Sequence, residues 1–174
     1  MKIKLHSAVP LLLGLACALP HTAARASTTT SYSYSNAAQA CQLSVPTIDT
    51  VVAPRANGYR NPGTTGAFVI CGYGKTSGYE LSLANFAFVS MDGQAHTITC
   101  TGVNGLAGES TQVYVTGTWS VPATGTNVAG WGPSSFNGTN TIPGSAHNFS
   151  ITCNLPPQVA ITTLSSLYTY EIGN

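Results

Sequence analysis

The sequence predicts an all-β protein: a single antiparallel β-sandwich of about seven strands, Ig-like or jelly-roll-like, with two disulfides. Three observations predict this class. From Cys41 onward apolar residues recur at every second position, the period of a strand. Charged residues make up only 6% of the chain, too few for solvated helical surfaces. Four of the five cysteines follow an N-terminal export signal, as in disulfide-bonded exported domains.

The first 26 residues are predicted to be a secretory signal peptide. Lys2 and Lys4 precede the apolar segment Ser7–Leu19, and Ala24-Arg25-Ala26 matches a small-x-small cleavage site. We therefore expect a secreted or periplasmic protein of bacterial type. Anchoring as a lipoprotein through Cys17 is a minor alternative.

The mature chain, residues 27–174, is divided into an arm and a domain. Residues 27–40 are polar and low in complexity, so we expect a flexible arm. Residues 41–174 are expected to form the β-sandwich domain.

The charge of the mature chain disfavours several partners. It holds three basic and five acidic residues, which gives a net charge of −2. No basic patch is available for phosphates, so nucleic acid is excluded as a partner. No apolar run of the mature chain reaches membrane-spanning length, so no transmembrane segment is predicted there.

Turn-forming Gly, Asn, Pro and Asp residues separate the predicted strands. The segment AHNFSITCNLPP shows the alternation most clearly, because Phe149, Ile151, Cys153 and Leu155 share one face and Pro156 ends the strand. The predicted strands are 41–52, 66–73, 78–91, 94–103, 110–122, 146–155 and 158–172.

Two strands change their inward phase, and one turn has a clear signature. Bulges near Ala84-Asn85 and near Thr163–Ser166 would keep both halves of each strand on the core face. Asp92-Gly93 predicts a tight hairpin between the third and fourth strands.

Two long connections, residues 53–66 and 122–145, contain the candidate binding residues. These are aromatic and cationic side chains that suit a sugar or peptide face at one end of the sandwich. For Trp131 and Phe136 we favour the simpler interpretation that both rings fill that end of the sandwich as core residues. The candidates are Arg55, Tyr59, Arg60, Trp131 and Phe136.

The mature cysteines predict disulfides rather than a metal site. Cys41, Cys71, Cys100 and Cys153 form no Cys-x-x-Cys motif, and their even number allows three pairings. His96 and His147 fall in different predicted strands, and no recognisable ligand spacing around them supplies the further ligands that a metal site needs. No metal and no cofactor is therefore predicted.

The sequence shows no catalytic constellation, so we predict that the protein is not an enzyme. It lacks a Gly-x-Ser-x-Gly elbow and a phosphate-binding loop. Glu80 and Glu109 could form a glycosidase pair, but solvated positions are the simpler interpretation of both.

The cysteine contexts resemble those of small exported four-cysteine bacterial proteins of unknown function. The matching segments are CQLSVP, FVICGY, TITCTG and FSITCNLPP, although Gly72 stands where that group often has Pro. The resemblance implies a disulfide-bonded β-sandwich without assigned catalytic residues. It also implies the pairings Cys41–Cys71 and Cys100–Cys153.

Three functions are compatible with these features. We favour a non-catalytic binding or accessory module for a glycan, cell-wall or protein surface. The alternatives are a structural subunit that assembles by strand addition through residues 27–40 or the C-terminal segment, and a small secreted hydrolase.

Overall fold

The computed structural model describes residues 27–45, 51–74, 79–108, 112–145 and 148–172. The predicted signal peptide with Cys17, and also Glu109 and His147, lie outside these ranges. The described residues form two antiparallel sheets with a shared core, which confirms the predicted β-sandwich. Their elements are β1 (Ser27–Asn36), α1 (Ala37–Ala40), β2 (Cys41–Leu43), β3 (Ala53–Arg55), β4 (Gly58–Asn61), β5 (Ala67–Gly72), β6 (Glu80–Ser90), β7 (His96–Asn104), β8 (Val113–Val121), β9 (Thr126–Trp131), a 3₁₀ turn (Pro133–Phe136), β10 (Phe149–Leu155) and β11 (Val159–Ile172).

The strands are divided between a six-stranded and a five-stranded sheet. The six-stranded sheet has the order β3-β4-β11-β6-β9, and β1 pairs with β11 as well. The five-stranded sheet has the order β2-β5-β10-β7-β8. All strand pairs are antiparallel in the described residues.

The alternation predicted for β10 is confirmed. Phe149 is 3% exposed and Ile151, Cys153 and Leu155 are 0% exposed, whereas Ser150 and Thr152 remain partly exposed. The strand buries one face against the other sheet, and this burial fixes its register, because a shift by one residue would expose the apolar set.

Both disulfides have the implied pairing. Cys41 bonds Cys71 between β2 and β5, and Cys100 bonds Cys153 between β7 and β10. In each case the two cysteines stand directly opposite each other in the register, with Cα atoms 4.0 Å apart. Both bonds therefore covalently link neighbouring strands of the five-stranded sheet.

Four strands lie outside the seven predicted ones. The connection over residues 53–66 contains β3 and β4, and the connection over 122–145 contains β9 and the 3₁₀ turn. The apolar patterns of these three strands are too short to show a period. Pairing places them in the sheet, because β4 pairs with β11, β3 pairs with β4, and β9 pairs with β6.

The segment predicted as a flexible arm differs most from expectation. Ser27–Asn36 forms β1 and pairs with β11 over its whole length, and α1 follows. Asn36 caps α1 by accepting a hydrogen bond from Ala38 N at 2.8 Å, and Ala37 is fully buried. Backbone pairing fixes the segment without the bulky alternation that marks other strands. β1 is therefore an edge strand of the six-stranded sheet in its own chain. Residues 27–36 are not left as a free arm for strand addition to another molecule.

The turn at Asp92-Gly93 does not form the predicted hairpin. It connects β6 in the six-stranded sheet to β7 in the five-stranded sheet. The turn chemistry itself is present, since Gly93 has φ of 72° and Asp92 accepts a hydrogen bond from Gln94 N at 2.9 Å. Here the tight turn connects strands of two different sheets.

The β6–β11 pair contains two register irregularities, close to but not at the predicted places. One falls between Ile161 and Thr163, and the other between Leu167 and Tyr168, opposite the β6 segment from Leu83 to Leu81. Each shifts the inward phase, as the sequence required.

Within the described ranges, no helix has the length and apolarity needed to cross a membrane.

Candidate functional site

A cleft of about 440 Å³ opens at one end of the six-stranded sheet. Four segments contribute its walls: β1, the start of β6, the end of β11 and the connection after the 3₁₀ turn. Its lining residues are Thr28, Tyr79, Glu80, Asn140, Thr141, Thr169 and Tyr170.

The pairing of β6 with β11 brings the two tyrosines of the cleft together. Thr169 pairs with Glu80, so the residue before β6, Tyr79, stands beside Tyr170. The two ring centroids lie 4.7 Å apart and the ring planes are inclined by 51°. Both rings are partly exposed. The cleft therefore presents aromatic surface directly next to a carboxylate.

Hydrogen bonds hold the Glu80 carboxylate in place. Thr141 Oγ1 donates to one oxygen at 2.5 Å, and Gly144 N donates to the other at 2.9 Å. An ionised carboxylate has about four acceptor positions. Two positions therefore remain for donors of a bound molecule.

The wall formed by residues 140–145 is anchored to the start of β6. Ile142 N donates to Leu81 O at 2.6 Å, and Leu81 N donates to Ser145 Oγ at 2.7 Å. Ile142 is fully buried in the core. Because of these bonds, Asn140 and Thr141 keep their positions beside Glu80.

The cleft combines apolar rings with uncharged polar groups. The side chains of Thr28, Thr169 and Asn140 offer hydroxyl and amide groups that both donate and accept hydrogen bonds. Such an arrangement suits a neutral molecule with an apolar face and several hydroxyl groups.

The side chains that the structure describes in the cleft do not include a catalytic pair. Glycoside hydrolysis uses two carboxyl groups that flank the scissile bond. Among the side chains that the structure describes, Glu80 supplies the one carboxylate of the cleft lining. The other member of the pair considered from sequence, Glu109, is outside the described residues.

Asp92, His96 and Ser90 form a second polar cluster, at the β6–β7 turn. His96 Nε2 lies 2.8 Å from Asp92 Oδ1, and Ser90 Oγ donates to the same oxygen at 2.9 Å. In a catalytic triad the histidine, not the acid, contacts the serine. These bonds instead fix the turn, and they hold the pKa of Asp92 at about 2, below its ordinary value of 3.8, chiefly through His96.

The binding residues predicted from sequence do not come together. Trp131 and Phe136 are 3% and 4% exposed, and Tyr59 is 3% exposed, so these rings belong to the core. Arg55 is exposed and Arg60 is partly exposed. Arg55 is on β3 and Arg60 is on β4, and both strands are separated from β9, the strand of Trp131, by β11 and β6.

The interpretation of Trp131 and Phe136 as core residues, favoured from sequence, agrees with the structure. The Trp131 ring lies 5.0 Å from that of Trp119 and 5.9 Å from that of Phe86, measured between centroids. Phe136 packs against Phe149 at 5.6 Å. These contacts join both sheets, so the rings fill the interior of the sandwich.

Sequence reasoning missed the tyrosines of the cleft, although a signal was present. Tyr79 stands near the start of one predicted strand and Tyr170 near the end of another. Antiparallel pairing of those two strands would have placed the rings side by side. The sequence offered no means to choose that pairing over the others.

No family model and no curated protein matches the chain. Two solved structures resemble it. A family 11 carbohydrate-binding module from Clostridium thermocellum, in complex with a β-1,3-1,4-mixed-linked tetrasaccharide, has 13% identity and a TM-score of 0.37, covering 88% of this chain and 91% of that one. A CBM4 structure has 12% identity and a TM-score of 0.31, covering 66% and 68%. Similarities of this size do not indicate what this chain binds.

No group of three or more His, Cys, Asp or Glu side chains capable of holding a metal ion occurs in the part of the chain that the structure describes.

Proposed function

We propose that this protein is an exported, non-catalytic carbohydrate-binding domain that holds a neutral glycan in the cleft at the end of the six-stranded sheet. The observation that carries the proposal is the juxtaposition of the Tyr79–Tyr170 ring pair with the fixed carboxylate of Glu80.

The tyrosines supply the apolar part of the site. A sugar ring has faces of C–H groups and an edge of hydroxyl groups, and it therefore matches an aromatic face beside polar side chains. Tyr79 and Tyr170 are partly exposed at the cleft while Tyr79 also packs against the core. That packing restrains its ring before a ligand arrives, which lowers the entropic cost of binding.

Glu80 and its neighbours supply the polar part. Hydrogen bonds to a charged acceptor are stronger than neutral ones, and Glu80 has acceptor capacity left after Thr141 and Gly144. Asn140, Thr28 and Thr169 surround it with neutral groups. An anionic ligand would be repelled by the carboxylate, so a neutral glycan fits better than a phosphorylated or acidic one.

We propose binding without turnover at this cleft. The described side chains of the cleft do not include a second carboxylate at glycosidase distance from Glu80. The protein would then act by attaching itself, or a partner, to a polysaccharide outside the cytoplasm, in keeping with the signal peptide expected over residues 1–26.

A glycan array with a matched pair of variants tests the proposal. The wild-type protein should retain neutral polysaccharides such as glucan, xylan or mannan. Tyr170→Ala should lose this retention, because the variant removes half of the ring pair. Tyr114→Ala, an equally simple change of a 61%-exposed tyrosine on the five-stranded sheet, should keep it. Absence of retention by the wild type, or equal retention by Tyr170→Ala, would refute the proposal.

A further inference from the structure

Tyr32 and Tyr34 form a second exposed aromatic pair, on β1. They are 63% and 69% exposed. Their ring centroids lie 6.2 Å apart and the ring planes differ by only 15°. Since they are two positions apart on one strand, both point to the outward face of the six-stranded sheet.

This pair shares a face with part of the cleft. Thr28, a lining residue of the cleft, has the same strand parity as Tyr32 and stands four residues before it. That separation corresponds to about 13 Å along the strand. On β11, Thr169 lines the cleft and pairs with Thr30, and Leu167 pairs with Tyr32. The outward face therefore connects Tyr32 and Tyr34 with the polar side of the cleft at Thr28 and Thr169, whereas Tyr170, which pairs with Thr29, has the opposite parity at the end of the sheet.

The positions next to the pair on the outward face are uncharged. Thr30 stands two residues before Tyr32 on β1, and on β11 Leu167 pairs with Tyr32 and Ser165 pairs with Tyr34. A polyhydroxylated chain would use both the rings and the hydroxyl groups.

We infer that Tyr32 and Tyr34 are a second contact surface for the glycan held in the cleft, so that the preferred ligand is an extended, uncharged polysaccharide rather than a short oligosaccharide or a chain end. This inference rests on the proposed function. It adds that sugar units outside the cleft continue along β1 and pack on the two rings.

The test compares short and long ligands of the same chemistry. The probes are three pairs, each of a disaccharide and the matching polymer: cellobiose and hydroxyethylcellulose, xylobiose and xylan, and mannobiose and mannan. The variants are Tyr32→Thr/Tyr34→Thr, Tyr170→Ala and the control Tyr114→Thr. Threonine has a high preference for strands, so β1 should remain paired, and amide hydrogen exchange over Ser27–Asn36 verifies this.

The double variant should bind the disaccharide as the wild type does and bind the matching polymer about tenfold more weakly. Tyr170→Ala should weaken both, and Tyr114→Thr neither. Unchanged polymer affinity in the double variant, with loss in Tyr170→Ala, would overturn this inference and leave the proposed function intact. A wild type that binds none of the probes would refute both. A change of oligomeric state in the double variant would mark β1 as a protein interface and overturn the inference.

Discussion

The hydroxyl of Thr141 donates a hydrogen bond of 2.5 Å to the carboxylate of Glu80, across 61 residues of sequence. Gly144 N donates to the other oxygen at 2.9 Å. The carboxylate thereby joins the connection after the 3₁₀ turn to the start of β6. One residue shapes the wall of the cleft and also supplies its charged acceptor.

Glu80→Gln should weaken glycan binding. The amide keeps the size of the carboxylate but replaces one acceptor oxygen with a donor, which then faces Thr141 or Gly144. Loss of a charge-assisted hydrogen bond costs about 1.5–3 kcal/mol, or roughly tenfold or more in affinity. Calorimetric titration with an oligosaccharide that the wild type binds measures the change in affinity, and the melting temperature controls for folding. Undiminished affinity would exclude Glu80 from the binding site.

Trp131→Ala should destabilise the fold. Trp131 is 3% exposed and contacts Trp119 and Phe86, so truncation leaves a large cavity that costs about 3–5 kcal/mol. Urea unfolding measures the loss, with Tyr114→Ala as a surface control that should change stability by no more than about 0.5 kcal/mol. Wild-type stability combined with lost binding would instead restore the sequence-based prediction that Trp131 binds ligand.

Removal of either disulfide should cost about 2–5 kcal/mol of stability. The Cys100–Cys153 bond spans 53 residues and the Cys41–Cys71 bond spans 30. The entropy of loop closure then makes the longer bond more stabilising by about 0.5 kcal/mol. Double Cys→Ala variants compared by urea unfolding give both values. A larger loss for Cys41–Cys71 would show that local packing outweighs chain entropy.

Stability should fall in acid partly through Asp92. His96 and Gln94 N lower the pKa of this carboxyl to about 2 from an ordinary 3.8. The folded state therefore favours the ionised form. Its stabilisation is complete above about pH 4 and is lost as the pH falls through 2. Asp92→Asn should flatten this part of the profile of unfolding free energy against pH. Identical slopes for the two proteins would show that the contacts of Asp92 do not contribute.

The strands with a buried face were predictable from sequence because their alternation is directly tied to burial. Phe149, Ile151, Cys153 and Leu155 occupy the inward positions that their spacing predicted. The shifts in phase within β6 and β11 likewise required bulges, and irregularities occur near the predicted positions. Such patterns depend on one strand alone.

Features that depend on two strands could not be predicted. Asp92-Gly93 specifies a tight turn but not whether the next strand stays in the same sheet. Residues 27–36 lack a buried apolar face, and they form a strand because their backbone pairs with that of β11. Trp131 and Phe136 lie among turn-formers in sequence, yet they meet Trp119 and Phe149 in the core. The cleft, made by four segments, was hidden for the same reason.

The most direct test of the central claim is a titration of the ¹⁵N-labelled protein with an oligosaccharide retained on the glycan array, followed by amide chemical shifts. Binding in the cleft predicts the largest changes at Tyr79, Glu80, Asn140, Thr141, Thr169 and Tyr170, the segments that line it. Changes confined to the five-stranded sheet, or to the β3 edge of the six-stranded sheet, would show that the oligosaccharide does not bind in the cleft.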